Sequence, residues 1–327
     1  MQNRQIVVTE CHDFPPLAHK TLESVGSVKL LDLDRNGLLE AVKEADLLWV
    51  RLRHVIDTEV MERAPHLRVI ATPTTGLNHI DMEEAKRRNI KVISLKGQTE
   101  FLRTVRATAE LTLGLMLAVL RNVPQAAYYG SKGEWCRDLL KGQEIYGKMV
   151  GIIGYGRLGK IVASYLVALG ARILAFDPGV RAEEVDINAV FVDLPVLLKE
   201  SDIISLHLNL SQETKGFYNR KCFGMMKPGS FLINTARGEL VDEIALLEAL
   251  QSGHIAGAAL DVASGELSAD FGKHELFQFA QDHSNLIITP HIGGCTVEST
   301  EKTEIFLSTL VAKFLMNRSA RDFGKGR

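Results

Sequence analysis

Short apolar runs alternate with stretches of helical periodicity along almost the whole chain. This pattern is typical of parallel strands joined by helical crossovers. In the first hundred residues it predicts helices such as Gly37–Glu44 and Asp81–Arg88, enough with their neighbouring strands for a small α/β domain. The strands are expected near Gln5–Val8, Val28–Leu31, Leu47–Val50, Val69–Ala71 and Lys91–Ser94.

A second series of strands follows two helical stretches, one from about Thr104 to Arg121 and one from Pro124 to about Leu140. Several of these strands are nearly all apolar, as strands buried on both faces of a sheet must be. We expect them at Met149–Ile153, Arg172–Asp177, Ile203–His207, Ser230–Asn234, Ala256–Asp261 and Leu286–Thr289. A last helix, from about Val297 to Met316, is long enough to return to the first domain. We therefore predict a discontinuous domain, residues 1–102 plus 292–327, around a contiguous domain, residues 103–291.

Composition and charge exclude several classes of protein. The 327 residues carry 38 Lys+Arg against 40 Asp+Glu, a formal net charge of −2, which argues against a nucleic-acid binder. The longest apolar run, Leu111–Leu120, is too short to span a membrane, and the first residues do not read as a signal peptide. The four cysteines lie far apart with no CxxC pair, so we expect no metal site and a cytoplasmic protein.

A glycine-rich turn, Gly154-Tyr-Gly-Arg-Leu-Gly159, follows the strand Met149–Ile153. Gly154 permits a tight turn, Gly156 lets a pyrophosphate approach the backbone, and Gly159 allows the next helix to pack closely on the strand. Asp177 closes the following strand, where its carboxylate would bind ribose hydroxyls and repel a 2′-phosphate. The turn predicts a dinucleotide site that favours NAD over NADP. The alternative is a glycine-rich turn with Asp177 as a helix cap, and Arg181 nearby weakens the NAD preference without reversing it.

Arg237, Glu266 and His291 each lie just past the end of one of the later strands. Because ligands of open parallel sheets bind outside the carboxyl ends of the strands, we expect the three to converge. Arginine can clamp a carboxylate, and histidine can exchange a proton with an alcohol or carbonyl oxygen. A carboxylate beside the histidine fixes its ring. Together with NADH the set suits interconversion of a 2-oxo acid and a 2-hydroxy acid.

Taken singly, the same three residues have plainer interpretations. Arg237 can be a surface ion-pair partner before a helix capped by Asp242, and Glu266 can be an exposed loop residue. His291 can bond to a neighbouring backbone group.

Three motifs together resemble the D-isomer-specific 2-hydroxyacid dehydrogenase family, and the likeness covers nearly the whole chain. They are Gly154-Tyr-Gly-Arg-Leu-Gly159, Asn234-Thr-Ala-Arg-Gly-Glu-Leu-Val-Asp242 and Pro290-His-Ile-Gly-Gly294. The resemblance implies an α/β fold, with a Rossmann-type doubly wound parallel sheet domain inserted in a second, smaller flavodoxin-like α/β domain. It also implies an NAD-dependent oxidoreductase in which Arg237 clamps and polarises the oxo acid. His291 would be the acid/base, Glu266 its partner, and the protein a dimer joined through the central domain.

The resemblance also implies further contacts. Thr75 and Gly76 match a loop whose backbone amides hold the substrate carboxylate. The implied cofactor-binding residues are Gly154, Gly156, Arg157, Leu158, Gly159, Asp177, His207, Thr235, Ala236, Asp261 and Gly293. Two departures stand out: Glu266-Leu267 replaces a frequent Glu-Pro, and Asn209 replaces a frequent proline.

The substrate stays open at this point. Arg51 and Arg53 resemble an arginine stretch that meets a phosphate in phosphoglycerate dehydrogenases, whereas solvated surface arginines are the alternative. The candidates are 3-phosphoglycerate, hydroxypyruvate, glyoxylate or a larger 2-oxo acid. Two other functions fit the same scaffold: an NAD(H)-sensing interaction protein of the corepressor kind, and hydride removal from formate or phosphite.

The helix Leu111–Leu120 and the aromatic stretch around Tyr128, Tyr129 and Trp135 carry more apolar surface than one small domain needs. We expect a homodimer to bury them, with packing inside the chain as the alternative.

Overall fold

The computed structural model describes residues 4–179, 188–266, 268 and 271–322, with side chains given as far as residue 317. Arg181 and Leu267 lie outside the described residues. The chain divides into two compact units: unit 1 comprises Met1–Val105 and Thr296–Arg327, and unit 2 comprises Arg106–Cys295. The sequence placed these boundaries between residues 102 and 103 and between residues 291 and 292.

Unit 1 is built on a five-stranded parallel sheet. Its strands are β1 (Gln5–Val8), β2 (Ser27–Leu30), β3 (Leu47–Trp49), β4 (Val69–Thr72) and β5 (Lys91–Ser94). Their order in the sheet is β2-β1-β3-β4-β5, which confirms the flavodoxin-like prediction. The helices up to the end of this segment are α1 (Pro16–Glu23), α2 (Arg35–Ala41), α3 (Thr58–Glu62), α4 (Met82–Arg87) and α5 (Thr99–Leu102), with a 3₁₀ turn at Val42–Glu44.

Unit 2 is built on a seven-stranded parallel sheet. Its strands are β6 (Met149–Ile153), β7 (Arg172–Phe176), β8 (Val190–Phe191), β9 (Ile203–Leu206), β10 (Ser230–Asn234), β11 (Ile255–Leu260) and β12 (Leu286–Ile288). In the order β12-β11-β10-β9-β6-β7-β8 the winding reverses between β6 and β9, so the Rossmann-type, doubly wound prediction is confirmed.

The helices of unit 2 cover both faces of this sheet. They are α6 (Ala107–Leu120), α7 (Val123–Ser131), α8 (Arg157–Ala168), α9 (Leu194–Glu200), α10 (Arg220–Met225), α11 (Glu243–Gln251) and α12 (Glu275–Asp282), with 3₁₀ turns at Arg137–Leu140, Gly238–Leu240 and Phe271–Lys273. Two predicted elements were too long. The helix expected from Thr104 begins only at Ala107, after a turn. The stretch expected to reach Leu140 is α-helical only to Ser131; the left-handed Gly133 (φ +73°) follows the end of α7, and a separate 3₁₀ turn covers Arg137–Leu140.

The last helix, α13 (Val297–Asp322), packs against α1 within unit 1. Leu307 and Val311 are fully buried in the apolar cluster that contains Trp49. Glu304, on the same helix, is also buried; its carboxylate accepts hydrogen bonds from Trp49 Nε1 at 2.7 Å and from Arg51 Nε at 2.6 Å. Burial raises the pKa of Glu304, and the charge of Arg51 opposes that effect. The final helix thus completes the core of unit 1.

The residues that the structure describes contain neither a candidate membrane span nor a candidate metal site. None of the helices there is long and apolar enough to cross a membrane. No group of three or more His, Cys, Asp or Glu side chains in that part of the chain is placed to hold a metal ion.

Replacing Leu307 tests the role of α13. Because its side chain is fully buried, Leu307→Ala should lower the free energy of unfolding by about 2–5 kcal/mol, measured by urea denaturation. Met316→Ala on the same helix is the control, since Met316 is 53% exposed and should change stability by less than about 0.5 kcal/mol. Equal effects of the two substitutions would contradict a structural role for α13 in unit 1.

Candidate active site

The glycine turn between β6 and α8 is fixed by close backbone approaches. Gly154 has φ +94°, and a Cβ there would lie 2.6 Å from the carbonyl carbon of His207. A Cβ at Gly159 would lie 2.2 Å from the carbonyl oxygen of Gly154. Neither position can carry a side chain without displacing backbone. Gly154 thus permits the tight turn, and Gly159 permits the close packing of α8 on β6.

Gly156 differs from the other two glycines, because a Cβ there would meet nothing within 4 Å. It is the N-cap of α8 and makes no side-chain cap hydrogen bond. The first N–H groups of α8 and the positive end of its dipole therefore lie beside open space, the arrangement that binds anions such as a pyrophosphate. Arg157 and Leu158 are the first two residues of α8. Burial lowers the pKa of the Arg157 guanidinium, and the nearby charge of Arg106 lowers it further.

Asp177 follows β7 and is held by two backbone groups. One carboxylate oxygen accepts the N–H of Tyr155 at 2.8 Å, and the other accepts the N–H of Gly179 at 2.8 Å. An ionised carboxylate has about four acceptor positions, so lone pairs remain for ribose hydroxyls. The backbone contacts orient the group on the glycine turn itself.

His207 follows β9, and its ring is held by a buried hydroxyl. Ser205 Oγ lies 2.9 Å from His207 Nε2. Burial lowers the pKa of His207 to about 4, so the ring is neutral at pH 7. Its Nδ1 is buried and has no hydrogen-bond partner within the described part of the chain. A buried polar atom in that state is a natural contact for a ligand.

The turn after β10 is shaped by the side chain of Asn234. Its Oδ1 accepts the N–H of Ala236 at 3.0 Å, and its Nδ2 donates to the carbonyl of Arg237 at 2.9 Å. Thr235 Oγ1 lies 2.7 Å from the hydroxyl of Thr112 on α6. These bonds hold Thr235, Ala236 and Arg237 at the carboxyl end of the sheet.

Arg237 is a half-buried cation in this turn. Its Nη1 donates to the carbonyl of Ala236 at 2.6 Å. Burial lowers the pKa of Arg237, and the carboxylates of Glu266 and Glu239 oppose this effect. The guanidinium stays charged at any ordinary pH, so the turn presents a partly desolvated positive charge within electrostatic reach of Glu266.

Asp261 anchors the turn that carries His291. The Asp261 side chain is 1% exposed and accepts hydrogen bonds from Thr289 Oγ1 at 2.6 Å, from Ile292 N at 2.9 Å and from Gly293 N at 2.7 Å. His291 itself has φ +53°, a left-handed conformation that is uncommon outside glycine and marks a constrained position. The Asp261 carboxylate therefore fixes a strained turn.

His291 and Glu266 form a direct pair. His291 Nδ1 lies 2.6 Å from Glu266 Oε1, and each side chain is 23% exposed. Because Nδ1 bonds to the carboxylate, Nε2 on the opposite side of the ring is left to exchange a proton. The structure thus brings together two of the three polar residues that follow the late strands.

The loop that carries Glu266 also touches the turn that carries Arg237. A Cβ on Gly238 would lie 2.0 Å from the carbonyl carbon of Ala263 and 2.3 Å from the nitrogen of Ser264. Only a glycine permits this backbone contact. The three chemically complementary side chains therefore come from segments that pack on one another within unit 2.

The remaining predicted residues belong to unit 1. Thr75 is exposed and Gly76 half-buried; the Gly76 carbonyl accepts a hydrogen bond from Thr74 Oγ1 at 2.8 Å. Arg53 forms an ion pair with Asp32, just as Arg51 is paired with Glu304. Both arginines considered for phosphate binding thus already contact carboxylates of the chain.

The sequence did not predict the contacts of two buried hydroxyl groups in the site. Ser205 contacts His207, and Thr112 contacts Thr235. Each is a buried hydroxyl within a mainly apolar strand or helix. That interruption of an apolar run was the available signal, because a buried hydroxyl needs a partner.

The NAD-binding domain model of the D-isomer specific 2-hydroxyacid dehydrogenases matches residues 113–293. The chain belongs to this family. It is an NAD-dependent oxidoreductase of the 2-hydroxyacid class, and NAD is its cofactor. The open space at Gly156, the oriented carboxylate of Asp177 and the unpartnered Nδ1 of His207 fit that cofactor.

Individual relatives agree with the family. The hydroxypyruvate reductase of Thermotoga maritima is 37% identical, over 86% of this chain and 89% of its own length. The D-3-phosphoglycerate dehydrogenase of Mycobacterium leprae is 36% identical over 88% of this chain, which spans about half (53%) of that relative. Among solved structures, the D-lactate dehydrogenase of Aquifex aeolicus, complexed with NAD and lactic acid, has a TM-score of 0.83 at 28% identity and covers 98% of both chains.

Gly156 offers a test of the anion site in this dehydrogenase. A Cβ there meets no atom of the protein, so Gly156→Ala should fold normally and yet weaken NADH binding at least about tenfold, a loss of about 1.4 kcal/mol. Fluorescence titration gives the affinity and thermal unfolding the stability. Gly114→Ala on α6, also in open space, should leave the NADH affinity unchanged. Unaltered NADH affinity in Gly156→Ala would contradict a pyrophosphate at this turn.

Proposed function

We propose that this dehydrogenase interconverts a small 2-oxo acid and its D-2-hydroxy acid, with His291 as the acid/base, Glu266 as its partner and Arg237 as the clamp for carboxylate and carbonyl. The observation that carries the proposal is the 2.6 Å contact between His291 and Glu266 beside a partly buried arginine. A carboxylate at Nδ1 holds the ring and stabilises the imidazolium, so the proton available to a substrate is on Nε2.

In the reducing direction the residues have separate tasks. NADH held at the glycine turn would supply the hydride for the carbonyl carbon and would be oxidised to NAD⁺. His291 donates the Nε2 proton to the carbonyl oxygen, so one hydride and one proton convert the oxo group to a hydroxyl. Arg237 neutralises the substrate carboxylate and polarises the carbonyl. Glu266 stabilises His291 while it is protonated, before the proton is transferred.

Among the candidate substrates we favour unphosphorylated 2-oxo acids such as hydroxypyruvate or glyoxylate over a phosphorylated one. Arg51 and Arg53 are already paired with Glu304 and Asp32, so carboxylates of the chain balance both charges and weaken their attraction for a phosphate. The relatives compared above are named for reductase or dehydrogenase activities, which favours an enzyme over a sensing protein.

A homodimer is the second part of the proposal. Helix α6 packs inside unit 2, where Leu115 and Met116 are buried. Helix α7 has no buried residue, and beyond it Trp135 is 90% and Leu139 79% exposed. Exposed apolar side chains grouped in this way mark an interaction surface, and a second copy of the chain would cover it symmetrically.

Replacing His291 tests the acid/base assignment. Asn tolerates the left-handed backbone, so His291→Asn should fold, bind NADH normally and lower kcat by about 10²–10⁴-fold. The assay is NADH consumption with hydroxypyruvate, glyoxylate and other 2-oxo acids. His283→Asn is the control, because His283 is exposed and should keep full activity. Wild-type protein that binds NADH but reduces none of the acids would overturn the proposal.

Light scattering tests the dimer. At micromolar concentration the particle should have twice the 36.1 kDa mass of one chain, and Trp135→Ser should shift it toward the mass of one chain, since the indole is nearly fully exposed in the single chain. Monomeric wild-type protein would remove this part of the proposal.

A further inference from the structure

A second histidine–carboxylate pair lies in unit 2 and takes no part in the chemistry above. Glu243 is the first residue of α11, and His274 is the N-cap of α12. Glu243 Oε2 lies 3.1 Å from His274 Nε2, and the Glu243 side chain is only 10% exposed. The pair thus joins the beginnings of two helices at a nearly buried carboxylate.

The hydrogen bonds of His274 define its tautomer. Its Nδ1 accepts the N–H of Leu276 at 3.3 Å, which caps α12. A ring nitrogen that accepts carries no hydrogen, so Nε2 holds the proton and donates it to Glu243. The carboxylate of Glu243 is therefore the acceptor in its contact with His274.

The other oxygen of Glu243 holds the loop that leads to Glu266. Glu243 Oε1 accepts the N–H of Ser264 at 2.7 Å, and Ser264 precedes Glu266 by two residues. The same peptide, Ala263–Ser264, is the one against which Gly238 packs. The Glu243 carboxylate therefore fixes a peptide of the Glu266 loop, and that same peptide packs against the turn that carries Arg237.

Keeping a carboxylate here is unfavourable by itself. Burial raises the pKa of Glu243, and the nearby charges of Glu239 and Asp242 act in the same direction. The bond from Ser264 and the contact with His274 oppose them. A neutral or apolar side chain at this position would avoid the cost of burying a charge. The strong hydrogen bonds that an ionised carboxylate accepts therefore explain why a glutamate stands here.

We propose that Glu243, oriented by His274, is a positioning residue for the oxo-acid reaction: it holds the 263–264 peptide and thereby sets the Glu266–His291 contact and the place of Arg237. This inference rests on the proposed function, since it assumes that Glu266 and Arg237 act on the substrate. The Glu243 carboxylate itself touches neither substrate nor cofactor.

A double-mutant cycle tests the proposal. Glu243→Ala should lower kcat about 10–100-fold, the loss typical when a hydrogen bond that orients a functional side chain is removed, while NADH affinity stays unchanged. In a Glu266→Gln background the same substitution should lower kcat much less, because two residues that act through one contact are not additive. Glu275→Ala, an exposed first residue of α12, is the matched control and should keep wild-type kcat.

His274→Asn is the second variant if Glu243→Ala does not fold. Asn still caps α12 but is too short to reach Glu243, so kcat should fall in the wild-type background and change much less with Glu266→Gln. An equal factor in both backgrounds, or no loss in either, would overturn the positioning role. If Glu266→Gln alone leaves kcat unchanged, the role proposed for Glu266 as the partner of His291 fails instead. That result differs from the failure of the positioning role, in which Glu266→Gln lowers kcat but Glu243→Ala has the same effect in both backgrounds.

Discussion

The carboxylate of Asp261 receives hydrogen bonds from Thr289 Oγ1 and from the N–H groups of Ile292 and Gly293, and the turn at the end of β12 closes around it. A buried carboxylate without such donors would carry a desolvation penalty of several kcal/mol. Three hydrogen-bond donors within 2.9 Å of the Asp261 carboxylate offset that penalty. Because two of them are backbone N–H groups of the turn, they also fix its conformation. His291 occupies its left-handed position because of this anchor.

Contacts that involve the backbone hold most of the other side chains of the site in place. His291 is held at Glu266, and the Glu266 loop lies against Gly238 beside Arg237. On the cofactor side, Asp177 is bonded to the N–H groups of Tyr155 and Gly179. Because fixed backbone groups orient these side chains, the site is arranged before a ligand arrives, which is the condition for electrostatic stabilisation without reorganisation.

The sequence predicts the fold well because a strand buried on both faces has to be apolar. The bounds expected for Met149–Ile153 and Ser230–Asn234 are those of β6 and β10. The two-residue strand Val190–Phe191 is too short to give a pattern, and the turn before Ala107 is hidden because its residues continue a helical periodicity. Local propensity is overridden there by tertiary packing.

The candidate site was predictable where its residues follow a glycine turn or the end of a strand. The glycine turn and the strand-end residues Arg237, Glu266 and His291 follow from spacing and topology. The Glu243–His274 pair lies at the starts of two helices, and each residue alone resembles an ordinary helix terminus. Contacts of this kind depend on how loops pack, which the periodicity of a chain does not encode.

Helix α13 has a consequence for how the protein is made. Unit 1 needs residues from both ends of the chain, including Leu307 and Val311 for its core. During translation the first 105 residues emerge and then wait while residues 106–295 are synthesised, which takes about 10–40 s at about 5–20 residues per second. Unit 2, being contiguous, can fold on the ribosome during that interval. Until α13 is synthesised, the N-terminal segment lacks the helix that covers its apolar surface, and exposed apolar surface of this kind is prone to aggregation.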